Sequence, residues 1–140
     1  MNISEVIEKR SEADIAAEFS HRMKSDGRLN ISMEVRLPSS RHRSGSFRVD
    51  AIVSHKSGEI VCAVEFKRPG KSVGNSTRQR LAYADLPYPH FYIVGMRGLK
   101  RVLPLIFAAA GFSDLRQPVD CFGRSAVSRT GRVKKSAVLV

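Results

Sequence analysis

The chain has 140 residues, 42% of them hydrophobic, with a formal net charge of +11 and a pI near 10.4. That length suits one domain with a real core. The longest apolar run, Val102 to Phe112, is too short to cross a bilayer and contains Pro104.

The charge is uneven. Residues 1–66 hold ten Lys/Arg and ten Asp/Glu, whereas residues 67–140 hold fourteen Lys/Arg against Asp85, Asp114 and Asp120. A basic half on a small domain points to a polyanion, with nucleic acid ahead of an anionic membrane surface or a solubility device. The opening MNISEVIEKR lacks the apolar core of a secretory signal, so a cytoplasmic protein, bacterial or phage-encoded, is expected. Cys62 and Cys121 form no CxxC pair; neither a zinc site nor a disulfide is expected.

Residues 4–25 read as helix, with Ile15, Ala16, Phe19 and Met23 on one apolar face. Ser11 and Asp14 give a start signal, and Asp26-Gly27 a stop. Glu12 and Glu18 flank the apolar arc and are expected at a site edge or on a solvated flank. Residues 28–37 alternate strictly, with Leu29, Ile31, Met33, Val35 and Leu37 on one face and Glu34 the acid on the other. Glu34 is expected either to join an acidic cluster or to pair with Arg36 or Arg48. PSSRHRSGS, residues 38–46, is a loop whose Arg41 and Arg43 suit phosphate contact or plain solvation.

FRVDAIV, SHKSGEI and VCAVEFK, residues 47–67, then read as a β-hairpin. A two-residue turn at Ser57-Gly58 pairs positions whose numbers sum to 115, which sets Asp50 opposite Glu65 at about 5 Å. Lys67 shares the face of Glu65; Val49, Ala51, Val53, Ile60, Cys62, Val64 and Phe66 share the apolar face. An E-x-K tripeptide alone is commonly a solvated ion pair. A second carboxylate facing it is repulsive unless a divalent cation, Mg²⁺ or Mn²⁺, sits between the two. A one-residue slip would send Asp50 to the other face.

RPGKSVGNS, residues 68–76, breaks the strand and carries Arg68 and Lys71; it lacks the spacing of a P-loop. Residues 77–86 read as a helix whose Arg78, Gln79 and Arg80 lie just beyond Lys67, in reach of a phosphate. HFYIVGM, residues 90–96, reads as a buried strand, giving a β-α-β crossover onto a parallel partner. A basic segment from Arg97 to Arg101 follows, then a helical face of Leu103, Ile106, Phe107 and Ala110. Residues 127–140 read as a hairpin around Thr130-Gly131 or as a basic tail.

The order α-β-β-β-α-β, with Asp50 in RVDAIV and Glu65-Phe66-Lys67 in AVEFK, resembles the PD-(D/E)XK nuclease superfamily over residues 11–96. It is similar to its small Holliday-junction-resolvase-like and repair-associated members. Val49 stands where the motif has proline. The resemblance implies an α/β restriction-endonuclease-like fold, a central mixed sheet flanked by helices. It also implies Mg²⁺ held by Asp50, Glu65 and the carbonyl of Phe66, with Lys67 assisting a water. Glu34 is the first choice for the further acid that members carry, ahead of Glu12 and Glu18. Gln79 and Tyr83 match the helix after the E-x-K strand.

One nuclease-like domain is therefore expected, with a core over about 11–112 and a basic extension over 113–140. The expected activity is Mg²⁺-dependent hydrolysis of DNA phosphodiesters, by an endonuclease that is a homodimer if it cuts two strands. The alternative is a non-catalytic nucleic-acid-binding module on the same fold.

Overall fold

A computed structural model describes residues 11–70, 77–113, 117–128, 130–133 and 138–139, with the backbone alone described for 77–80 and 138–139. Helix α1 spans Glu12–Asp26. The Ser11 hydroxyl accepts the Asp14 N–H at 3.1 Å, and the Asp14 carboxylate accepts the Ser11 N–H at 3.2 Å, a reciprocal cap. Gly27, at φ 77°, ends the helix in a left-handed turn that glycine adopts without Cβ strain. Ile15, Phe19 and Met23, spaced four apart, are all buried.

Strands β1 (Asn30–Pro38), β2 (Ser46–Ser54) and β3 (Ile60–Lys67) form an antiparallel meander. Helix α2 (Thr77–Ala84) then leads to β4 (His90–Val94), which lies parallel to β3 and completes a mixed sheet of order β1-β2-β3-β4. Helix α3 spans Gly95–Ala109. The buried face of α1 and that of α3 pack together on one side of the sheet, against Ala51, Val53, Cys62, Val64, Phe66, Phe91 and Ile93. On the other side, Ala82 and Tyr83 of α2 pack on Phe47, Val49, Ile52 and Ala63. The protein is thus an α/β sandwich of three layers, with a mixed four-stranded sheet between helices. A small pair, β5 (Pro118–Val119) with β6 (Val138–Leu139), follows. Among the described residues no helix is long and apolar enough to cross a membrane. Cys62 is a buried free thiol, and Cys121 is also free.

The hairpin keeps its expected register by a different route. Its turn is a three-residue loop, Lys56–Gly58, closed by the His55 N–H on the Glu59 carbonyl at 2.8 Å, with Gly58 at φ 97°. That loop alone would pair Ser54 with Ile60. Val61 is then an extra residue in β3, a bulge that restores Val53↔Cys62 and Ala51↔Val64. The two offsets cancel before the strands reach Asp50 and Glu65.

Strict alternation fails in β1 and β2. Met33↔Ala51 and Val35↔Val49 flank a place where the ladder skips Glu34 and Asp50. Glu34 has φ 53°, the one positive value at a non-glycine among the described residues. This left-handed residue interrupts the pleat. Ile31 packs on the α1/α3 side, but Val35 and Leu37 pack on the α2 side. Val49 likewise joins the α2 side, not the face of Ala51 and Val53. Met96 is also reassigned. Gly95, at φ 64°, turns the chain out of β4, so helix α3 begins there and its buried face is Leu99, Val102, Leu105 and Ile106.

Candidate active site

Where the β1–β2 ladder skips, Asp50 turns its carboxylate toward β3. Its Oδ2 accepts the Phe66 backbone N–H at 2.8 Å, a main-chain donor met by a side chain near the end of the ladder. Asp50 is half-buried. Among the described residues Glu65 is the one charged residue in the buried set, at 7% exposure. Its Oε2 accepts the Tyr83 hydroxyl at 2.6 Å, and its Oε1 lies 3.8 Å from Lys67 Nζ.

Burial pushes the Glu65 carboxyl up to about 7. The Tyr83 hydrogen bond opposes this by favouring the charged form. The nearby charge of Asp50 raises it again, the Lys67 ammonium lowers it, and a hydrogen bond with Asp50 adds to the rise. The two acids therefore interact directly, as the hairpin register predicts. Near neutral pH Glu65 is thus poised between its protonated and charged forms beside Asp50.

Tyr83 is the anchor of this arrangement. It is buried, its ring lies edge-on to Phe47 at 5.5 Å, and it stacks on His90 at 5.3 Å. Burial and the charge of Glu65 hold its hydroxyl protonated, so it stays a donor. Tyr83→Phe removes that donor and is expected to move the Glu65 titration midpoint above about 7, since the bond favours the carboxylate. Carbon-13 NMR of the glutamate carboxyls measures it; an unchanged midpoint would show that the hydroxyl does not tune Glu65.

A cavity of about 210 Å³ opens beside Asp50, between α1 and the sheet, and is lined in part by Glu12, Glu34, Arg48, Asp50 and Phe66. Of the three candidates for a further acid, Glu12 and Glu34 reach this cavity, while Glu18 pairs with Arg22 at 2.9 Å and does not line it. The Glu34 side chain is 72% exposed and lies 3.7 Å from Arg48, the cross-strand ion pair that was one of its two expected readings. Among the described residues no group of three His, Cys, Asp or Glu converges as a metal site. An ion would instead rest on the Asp50 and Glu65 carboxylates and the Phe66 carbonyl, with waters completing its shell. Hard cations such as Mg²⁺ accept that donor set, and a cation would offset both the burial of Glu65 and the lesser repulsion from Asp50 that raise it.

The expected phosphate contacts scatter. Arg41 is engaged by Asp85 through two hydrogen bonds, and neighbouring His42 stacks on Phe47 at 5.5 Å, which fastens the loop to the sheet. Arg43 and Arg68 are exposed. Lys71 lies outside the described residues, as do the side chains of Arg78, Gln79 and Arg80. Arg48 was missed as a neighbour of Asp50, although its place two residues earlier on the same strand is the signal that finds it. Protein-family models, curated proteins and solved structures give no match to this chain.

Proposed function

We propose that this protein is a metal-dependent deoxyribonuclease on a restriction-endonuclease-like core. The observation that carries the reading is a buried Glu65 interacting with a half-buried Asp50, with Lys67 Nζ 3.8 Å from Glu65. A fold with no use for two facing carboxylates gains nothing from burying one of them. A bound Mg²⁺ or Mn²⁺ would supply Lewis acidity toward a phosphate oxygen and an acidified water. The chain's own residues do the rest. Asp50 and Glu65 supply negative oxygens at fixed positions, held by the Phe66 N–H and the Tyr83 hydroxyl. Glu65, raised to about 7, would have to be in its charged form to hold an ion, so binding would release its proton. Lys67 places a positive charge beside the carboxylates, where it orients a water and offsets charge developing on the phosphate.

Labelled linear, single-stranded and four-way-junction DNA, with Mg²⁺, Mn²⁺ or EDTA, gives the test. Wild type is expected to cut at least one substrate only with metal, and Lys67→Ala to lower the rate by about 10²-fold or more. Salt-sensitive binding without cleavage of any substrate by wild type would leave the binding-module reading instead. Cutting both strands of a duplex with one such site per chain calls for a two-fold homodimer.

A further inference from the structure

A second cavity, of about 330 Å³, lies just past the carboxyl ends of β3 and β4, lined by Pro69, Val94, Arg97, Gly98, Arg101, Phe122 and Arg124. Three of those seven are arginines and none is acidic. Arg97 and Arg101, four apart on α3, share a helix face. Gly98 lets the helix lie close on the strand; a Cβ there would meet the Ile93 backbone at 3.4 Å. Arg124 arrives from another part of the chain and is held in place. Its guanidinium sits 4.7 Å from the Phe122 ring centre, and its Nε is 3.3 Å from Asp120 Oδ2. Tyr92 stacks on Phe122 at 5.6 Å, so the ring serves as a platform for the arginine.

We propose that this arginine-lined cavity is a subsite for phosphodiester groups of the DNA strand, and that it seats the strand next to the Asp50–Glu65 pair. The identity of the strand rests on the nuclease reading above; the anion site itself rests on the cavity. Guanidinium groups suit phosphate oxygens through paired hydrogen bonds. Three guanidinium groups spread over the cavity, one of them partly offset by Asp120, suit successive phosphates of a polymer better than a single one. The position fits as well. Lys67 pairs with Val94 in the β3–β4 ladder, and Val94 lines the cavity. Glu65 is two residues before Lys67, roughly 7 Å along the strand. The site and the cavity thus share one end of the sheet, and the cavity's lining lies wholly within residues 67–140, which hold the whole net charge.

The test is binding of a fluorescent single-stranded DNA in EDTA, where no metal-dependent cut occurs, over a range of salt. The variants are Arg97→Gln with Arg101→Gln, and Arg101→Gln alone as a milder change. Lys24→Gln with Lys56→Gln is the control of equal charge, remote from the cavity. The double arginine variant is expected to bind at least tenfold more weakly, with a salt slope shallower by about 1.4; the single variant should lose about half that slope. The control should keep the wild-type slope. Equal losses in the arginine and control pairs, or no DNA binding by wild type, would overturn the subsite. So would a site filled by inorganic phosphate or a mononucleotide with DNA affinity unaffected by the arginines. If binding follows the arginines while wild type cleaves nothing, the subsite stands and the nuclease reading falls.

Discussion

Glu65→Gln is expected to act in opposite directions on stability and on activity. The Glu65 carboxyl is raised from an ordinary 4.5 to about 7 in the folded chain. A carboxyl raised on folding stabilises the fold while protonated. That contribution is complete below the unfolded value and is lost as pH climbs from about 4.5 to about 7. The difference is on the order of 3 kcal/mol between pH 4 and pH 8. Glutamine copies the shape of the protonated acid and can donate to Asp50. The variant should therefore match wild type in urea unfolding near pH 4 and exceed it by about 1–3 kcal/mol at pH 8. Metal-dependent cleavage should fall by about 10²-fold or more, because one of two carboxylates is gone. Added Mg²⁺ should raise the melting temperature of wild type at pH 8 and leave that of the variant unchanged. A variant no more stable than wild type at pH 8 would mean that burial and Asp50 do not penalise the charged Glu65 as described.

Phe66→Ala should have the largest effect on stability. Phe66 is 1% exposed and meets Phe19 of α1 edge-on at 5.3 Å. Truncating a buried phenylalanine costs about 3–5 kcal/mol through lost transfer energy and the cavity left behind. That is a large fraction of the stability of a domain this size. The same residue donates its N–H to Asp50 and lines the cavity beside it. Loss of the ring frees α1 from the strand that positions both acids. Chemical denaturation should show the loss, and Phe66→Leu should recover most of it. A cost below about 1 kcal/mol would show that α1 does not clamp this strand.

Much of this arrangement was legible because hairpin arithmetic is robust where turn residues and apolar patterns agree. The α1 cap was written in Ser11 and Asp14, and the stop in Gly27. The register as far as Ala51↔Val64, and with it the approach of Asp50 to Glu65, survived a wrong turn length, since the bulge at Val61 compensated for the longer loop. Other features were hidden for physical reasons. Nothing in a polar residue such as Glu34 announces a left-handed backbone, so period two carried Val35 and Val49 to the wrong side. Gly95 ends β4 inside an apolar run that reads as continuous strand, which hid the start of α3. The arginine-lined cavity brings Pro69, Arg97 and Arg124 together from distant segments, a meeting that local patterns do not show. The bond from Tyr83 to Glu65 spans eighteen residues and depends on how α2 docks on the sheet.

The interruption at Glu34 also governs how copies of this protein can meet. β1 and β4 are the outer strands of the sheet, and an outer strand is a template on which a foreign strand can add. On β1 the left-handed residue bends that template, and Glu34 and Arg36 stud it with charge. On β4 the Tyr92 N–H is already taken by the Cys121 carbonyl at 2.7 Å. Both borders thus resist edge-to-edge growth, which guards a basic, strand-rich chain against amyloid-like stacking during folding. Pairing of two subunits by a continuous sheet is disfavoured for the same reason, which leaves helix faces and loops as the surfaces for any two-fold partner.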